Sequence, residues 1–286
     1  MYGLRHLWLN LEIPPKTLWC NMGYWSEHVN HYSEACERLV LMVVDKLNIK
    51  PKDSILDVGY GCGDSCLFLA DRFDCQVTGI TNEYAQWKLS KDRTEQLSRK
   101  QQERIKLFEG SATELDKVLG KDGKTDLEFD HIVSIDSAYH FNTRWDFLRQ
   151  AFQHLKPGGT LGLYDIVLHE KATLPSGWKR DVWNYISTVL HLPLANMETQ
   201  ENYGAYLKQY GYVDIEFEPL LAQDVFGGLS FYCLEQKNKM NYWQIGNWQD
   251  MMYLSISAFL FDTLAKKQWL QPMIIKASSS KCVGYS

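Results

Sequence analysis

Short apolar runs alternate with amphipathic stretches between residues 54 and 166. The runs are Ser54–Val58, Gln76–Ile80, Arg104–Glu109, Phe129–Ile135 and Thr160–Ile166, each bounded by turn-forming residues. Runs this short and this apolar predict strands buried on both faces, as in a parallel sheet. Asp64–Phe73, Glu83–Arg99, Thr113–Leu119 and Trp145–Leu155 read as the intervening helices, the second with a heavily charged outer face. Strict strand–helix alternation predicts right-handed crossovers and helices on both sides of the sheet.

The flanks break this rhythm. Upstream, Val29, Tyr32, Cys36, Leu39, Val40, Val43, Val44 and Leu47 recur at three- and four-residue steps, which predicts a helix over 29–48. Downstream, 177–209 and 229–267 read as largely helical, Tyr212–Phe217 as a strand and Met273–Lys276 as a last strand. The expectation is one α/β domain over 1–286, Rossmann-like and doubly wound. Its mostly parallel sheet would end in an antiparallel strand. Residues 1–50 would form a helical lid, and 170–210 and 225–268 helical cap segments.

The first strand runs into the most informative stretch, Asp57-Val58-Gly59-Tyr60-Gly61-Cys62-Gly63-Asp64. Glycines at alternate positions let a strand turn sharply into a helix and bring backbone close to a ligand. The dinucleotide fingerprint G-x-G-x-x-G would need a glycine at position 64, which is Asp64. No lysine follows Gly63, so a phosphate loop of the G-x-x-x-x-G-K type is absent as well. An acid beside the helix start repels a pyrophosphate and favours a cationic ligand. S-adenosylmethionine, with an amino group and a sulfonium, is such a ligand.

Together with Asn21-Met22-Gly23-Tyr24-Trp25, Gly79-Ile80-Thr81-Asn82 through Gln86, Gly110-Ser111-Ala112 and Leu155-Lys156-Pro157-Gly158-Gly159, this turn resembles the class I S-adenosylmethionine-dependent methyltransferases. The similarity is to the small-molecule branch with cyclopropane fatty acid synthases, tocopherol and sterol C-methyltransferases and sugar O-methyltransferases. It covers about residues 20–220 and the final strand. The resemblance implies that Asp57, Gly59, Gly61 and Gly63 face the methionine part and ribose of the cofactor. It implies that Thr81, Asn82 and Gln86 bind the ribose through neutral hydrogen bonds, with a helix N-cap as the plainer role for Asn82. Ser111 stands where the family usually has Asp, which puts the adenine contact on the Ser111 and Ala112 backbone. Tyr24 and Trp25 would close over the cofactor. Asp136-Ser137-Ala138-Tyr139-His140 resembles an acidic-Ser-x-x-His turn, with Asp136 near the cofactor and His140 near the methyl group. His140 is the candidate base, Asp165 would orient it or the acceptor, and Tyr139 is an alternative base.

Composition narrows the rest. Apolar residues make up 45% and charged residues 23%, ordinary globular values, and a net charge of −5 argues against a nucleic-acid partner. Seven cysteines, odd in number and without a CxxC pair, read as buried thiols of a reducing compartment. Cys62 and Cys66 read as sharing one helix face. His28 and His31 read as a solvated helix start, and no cluster has metal-ligand spacing. No apolar run approaches the ~18 residues of a spanning helix, and the N-terminus lacks a signal peptide pattern. The expectation is a cytoplasmic protein with at most peripheral membrane contact, with homodimerisation left open. Trp178, Trp183, Tyr185, Leu190, Leu192, Leu194, Met197, Tyr203 and Tyr206, with Trp248, Met252 and Phe259, supply an apolar wall or ordinary core. The reading is O- or N-methylation of a hydrophobic small molecule, with C-methylation of a sterol or isoprenoid as the alternative within the class. An NAD-dependent oxidoreductase and a non-catalytic cofactor-binding subunit stand as readings of other classes.

Overall fold

The computed structural model describes residues 16–26, 29–120, 127–170, 172, 187–188 and 191–281. Seven strands, β1 (Ser54–Val58), β2 (Gln76–Thr81), β3 (Ile105–Glu109), β4 (Phe129–Ile135), β5 (Leu155–Leu168), β6 (Tyr212–Pro219) and β7 (Leu270–Ser279), form one sheet in the order β3-β2-β1-β4-β5-β7-β6. β1 to β5 pair in parallel, and β7 is antiparallel to both its neighbours. The helices are α1 (Tyr32–Val44), α2 (Asp64–Phe73), α3 (Tyr84–Glu95), α4 (Arg99–Gln102), α5 (Leu115–Leu119), α6 (Arg144–His154), α7 (Gln200–Tyr210), α8 (Gly228–Trp243) and α9 (Trp248–Lys267). This is the expected Rossmann-like, doubly wound sheet with an antiparallel last strand.

Several boundaries differ from the reading of the sequence, three of them for a clear local reason. The helix expected over 83–99 is two helices. Extended Ser98 starts α4 with a capping box, its hydroxyl accepting from the Gln101 N–H while the Gln101 side chain returns to the Ser98 N–H. The helical stretch 229–267 breaks between α8 and α9, where Gln244 and Gly246 have positive φ and Asn247 accepts from the Gln249 and Asp250 N–H groups. β5 starts at Leu155, because the Lys156-Pro157-Gly158-Gly159 turn bulges within the strand. Phe129 pairs with Leu155, yet His131, two residues on, pairs with Thr160.

The central strands are apolar because both faces are covered. Ile55 packs with Leu39, Val43, Cys66 and Leu69 on one side of the sheet, while its neighbour Leu56 packs with Leu115, Phe147 and Leu163 on the other. Gly162 in β5 admits α1 closely; a Cβ there would lie 2.9–3.0 Å from Leu47 and Val43 side-chain atoms. β1 and β4 are neighbours at the point where strand order reverses, so the turns after Val58 and Ile135 open into one crevice.

The opposite end of that strand pair is tied by Asp130, which accepts from the Ser54 N–H (2.8 Å), the Ser54 hydroxyl (2.7 Å) and the Lys156 ammonium (2.7 Å). Burial alone would raise its pKa, but Lys156 and the Ser54 donors outweigh burial and hold the carboxyl at about 2. A depressed carboxyl contributes stability that is complete above its unfolded pKa of 3.8 and is lost as pH falls through about 2. Urea denaturation of Asp130→Asn is therefore expected to show lower stability than the parent at pH 5 and a flatter decline between pH 4 and 2.

Candidate active site

Gly59, Gly61 and Gly63 all have positive φ, at 86°, 62° and 98°. Side chains are strained in that region, which accounts for all three glycines. The turn is also pressed from three sides. A Cβ on Gly59 would lie 2.2 Å from Ser137 Oγ, on Gly61 2.9 Å from Cys20, and on Gly63 2.9 Å from Ser90 Cβ. Beneath it Asp57 is buried, its carboxylate accepting from the Ser65 hydroxyl (2.6 Å) and the Cys66 thiol (3.4 Å). Burial outweighs these donors and pushes the carboxyl up to about 6.

Asp64 corrects one step of the reading of the sequence. Its carboxylate pairs with both Nη atoms of Arg93 in α3 (2.6 and 3.0 Å) and accepts the Leu18 N–H (3.0 Å). The charge is compensated within the protein, so it offers no free repulsion to a phosphate. Instead it pins α3 and residues 18–25 to the glycine turn. Cys62 likewise lies in the turn and Cys66 in α2, so the two do not share a helix face; both are buried and outside any disulfide.

Residues 18–25 form a strap across the crevice. The Met22 N–H donates to Asp136 Oδ2 (2.6 Å), Tyr32 donates to the Asn21 carbonyl (2.6 Å), and the Trp25 indole donates to the Met22 carbonyl (2.8 Å). The rings of Tyr24 and Trp25, which the resemblance implies close over the cofactor, pack toward residues 224–232. The Trp25 ring stacks with Tyr32 (6.2 Å) and Tyr232 (5.0 Å), and a Cβ on Gly228 would sit 2.1 Å from it. Tyr24 donates to Asp224 Oδ2 (3.2 Å), and the Trp25 N–H donates to the Asp224 carbonyl (2.6 Å). Both aromatics anchor the strap to the turn before α8, because burying their large ring surfaces there outweighs leaving them at the crevice mouth. Cys20 and Met22 occupy the crevice side.

Asp136, after β4, has φ 61°, a left-handed conformation that a non-glycine residue holds only when its surroundings enforce it. Its Oδ1 accepts from Tyr139 (2.5 Å) and its Oδ2 from Met22. Burial outweighs both donors and pushes the carboxyl up to about 7. Tyr139 is buried with its hydroxyl on Asp136, so it acts on the site through that carboxylate. His140 sits at the end of the following 3-10 turn, partly exposed, its ring 4.2 Å from that of Tyr139. Its Nδ1 lies 3.0 Å from the His191 carbonyl, which can only accept, so the proton sits on Nδ1 and the lone pair on Nε2. Burial pulls its pKa down to about 4.

Asp165 does not face this crevice. It is fully buried, its Oδ2 accepting from Arg144 (2.8 Å) and Tyr203 (2.8 Å) and its Oδ1 from the Ile166 N–H (2.8 Å). The residue expected to orient the base is the counter-ion of a buried arginine, since a guanidinium with no exposure requires one.

On the β2 and β3 side, Thr81 donates to Gln86 Oε1 (3.2 Å), and both are buried. Asn82 is exposed and is not a helix cap; Glu83 holds that position, with no side-chain cap bond. Asn82, Gly110 and Ser111 line a cleft of about 280 Å³ with Glu109, Glu114, Lys117 and Val118. The Ser111 hydroxyl is engaged by Thr113 (2.9 Å to its hydroxyl), and Ala112 is buried beside it. Of the expected wall, Leu192, Met197 and Tyr203 are core, Trp248, Met252 and Phe259 are exposed, and Trp178, Trp183, Tyr185 and Leu190 lie outside the described residues. So do residues 1–15 of the expected 1–50 lid, and His28; His31 is the N-cap residue of α1. Among the described residues no group of three His, Cys, Asp or Glu side chains could hold a metal. Cys20, Met22, Ser137, Asn196 and Asp224 carry contacts here that sequence reasoning missed. Met22, inside the Asn21–Trp25 motif, and Ser137, inside the acidic-Ser-x-x-His turn, carried a signal.

Residues 12–210 match the mycolic acid cyclopropane synthetase family. The chain is 30% identical over 208 residues to erythromycin 3''-O-methyltransferase of Saccharopolyspora erythraea, covering 72% of this chain and 65% of that protein. It is 29% identical over 209 residues to 27-O-demethylrifamycin SV methyltransferase of Amycolatopsis mediterranei, covering 71% and 68%. In fold it is similar to the cyclopropane synthase MmaA2 of Mycobacterium tuberculosis, with a TM-score of 0.72 at 18% identity over 96% of this chain and 94% of that one.

The burial of Asp165 separates stability from chemistry. Asp165→Ala leaves the Arg144 charge buried without its carboxylate and is expected to cost about 3–5 kcal/mol in denaturant titration. Cofactor affinity per folded molecule should hold within a few-fold of the parent.

Proposed function

This chain belongs to the mycolic acid cyclopropane synthetase family, and we propose that it is an S-adenosylmethionine-dependent methyltransferase acting on a hydroxyl of a hydrophobic small molecule. The carrying observation is the pairing of a glycine turn that needs positive φ at three positions with Asp136, a carboxyl held at left-handed φ beside His140. The residues fit the cofactor: glycines admit a close backbone approach, and Asp57 and Asp136 suit a cationic ligand. S-adenosylmethionine supplies an electrophilic methyl group on a positively charged sulfur.

The protein's own part is binding, alignment and one proton. Thr81, Asn82 and Gln86 offer neutral hydrogen bonds to a ribose, and the Ser111 and Ala112 backbone offers them to an adenine. The strap, tied to Asp64, Asp136 and Asp224, covers the turn and keeps water from it. Holding two reactants in line is worth ~7–11 kcal/mol, so these positioning groups carry most of the rate. His140 Nε2 takes the hydroxyl proton. Its low pKa keeps the ring in the base form throughout the neutral range, and it accepts the proton only as the new bond forms. The two relatives, a 3''-O-methyltransferase and a methyltransferase of a 27-O-demethyl compound, support oxygen as acceptor atom. An amine acceptor would use the same base. Tyr139, Tyr164 and Asp136 grouped beneath Met22 favour a second reading, methyl transfer to an alkene carbon of an isoprenoid, since ring faces and a carboxylate stabilise a carbocation. No helix among the described residues is long and apolar enough to cross a membrane.

Calorimetry with S-adenosylmethionine, S-adenosylhomocysteine and NADH tests the cofactor; NADH binding without either adenosyl compound would overturn the reading. Mass spectrometry of lysate metabolites treated with methyl-labelled cofactor identifies the acceptor, and label on carbon would select the second reading. His140→Ala is expected to lower kcat on a hydroxyl acceptor by about 10²–10⁴ with cofactor affinity nearly unchanged. Asp136 is neutral below about pH 7 and anionic above it, so cation affinity rises with pH. S-adenosylmethionine is expected to bind about tenfold tighter at pH 8 than at pH 6 if only the ionised carboxyl binds it. Asp136→Asn should flatten that dependence in calorimetry.

A further inference from the structure

Asn196 is fully buried, on a loop that the mechanism above does not use. Its Nδ2 donates to the Tyr139 carbonyl (3.0 Å) and to the Phe141 carbonyl (2.7 Å), the two backbone groups on either side of His140. Its Oδ1 accepts the Arg144 N–H (3.1 Å), and its own carbonyl accepts from the Arg144 guanidinium. The next residue back, Ala195, accepts from the Trp145 indole (2.6 Å). Arg144 in turn bonds Asp165 (2.8 Å) and the Ile166 carbonyl (3.0 Å) of β5. The same loop carries His191, whose carbonyl meets His140 Nδ1. The loop is joined to the end of β5 as well, through the Leu168 N–H to the Glu198 carbonyl (2.9 Å).

His140 is thus held twice by one loop. Its backbone is clasped on both sides by a single amide, and its ring is held by a carbonyl five residues earlier in that loop. We propose that Asn196 is the positioning residue that holds His140 in its Nδ1–H tautomer and in its orientation toward the crevice. An amide is the side chain for this task, because it gives two N–H donors to two carbonyls and keeps an oxygen for the Arg144 backbone. Buried and fully bonded, such a group is rigid, and a shift of its loop moves the His191 carbonyl and the His140 turn together. The acceptor class this serves is a hydroxyl whose proton must meet Nε2, so the inference rests on the reading of His140 as base.

Among the described residues, the titratable groups against His140 include Tyr139 and His191, with Asp136 behind Tyr139 and the Arg144–Asp165 pair behind Asn196, and the N-terminal amine also acts on it. The test is made on the full chain with 13C,15N-labelled histidine, the His140 signal being assigned with His140→Gln. In the parent, the ¹⁵N shifts should report the Nδ1–H tautomer; an Nε2–H ring would overturn the proposal outright. Asn196→Asp removes both donors while remaining compatible with Arg144, and Asn196→Ser is a smaller, uncharged alternative if the first fails to fold. In the folded variant His140 should titrate at least one pH unit closer to 6.5 than in the parent. The kcat should fall about tenfold to a hundredfold, with the acid limb of its pH profile moved up and cofactor affinity unchanged. A folded variant whose His140 titration matches the parent's overturns the positioning role. A moved titration with unchanged turnover upholds it and instead sinks the reading of His140 as base.

Discussion

The carboxyl of Asp136 joins segments that lie more than a hundred residues apart in the chain. It accepts the Met22 N–H of the strap and the Tyr139 hydroxyl of the turn after β4. It stands where β1 and β4 part company, facing the glycine turn across Ser137. Its left-handed φ is sustained because those partners and the Asp136 N–H to the Tyr164 carbonyl fix the backbone from several directions. Remove that carboxyl, and the strap, the base-bearing turn and the floor of the crevice lose their common point. The same carboxyl is desolvated, so the site holds a negative charge that its surroundings disfavour until a cation arrives.

Around this point the polar groups fall into two sets. One lies around the glycine turn and the turn after β4 and is electrostatically unsettled: Asp57 and Asp136 pushed up, His140 pulled down. The other is buried and paired: Asp64 with Arg93, and Asp165 with Arg144 and Tyr203. By position in the sequence, Asp165 reads as a catalytic residue and Asp64 as a charge that selects the ligand. They serve rigidity instead. The Arg144 pair supports the 191–197 loop, and the Asp64 pair supports the strap and α3.

Apolar strand runs, their alternation with helices and the spacing of Gly59, Gly61 and Gly63 were legible in the chain because each depends on neighbours within a few residues. Helix breaks at Ser98 and at 244–247 were less so, since capping competes with helix propensity and wins by one or two hydrogen bonds. Tyr24 and Trp25 lie on the expected strap, yet their rings turn toward Asp224, Tyr32 and Tyr232, partners that motif spacing does not encode.

By itself the sequence determined the strand–helix order, the antiparallel last strand and the place of the crevice. Periodic burial and the need for positive φ are local constraints written into residue type. Only the tertiary structure decided which carboxylates are neutralised by a cation within the protein. That depends on whether a cation from a distant segment reaches them first, as Arg93 reaches Asp64 and Arg144 reaches Asp165, while Asp57 and Asp136 are held by hydroxyl, thiol and amide donors. Asn196 shows the same limit. Its partners lie 50 or more residues away, at Tyr139, Phe141 and Arg144, and no spacing in a linear chain announces a clasp that folding alone brings together.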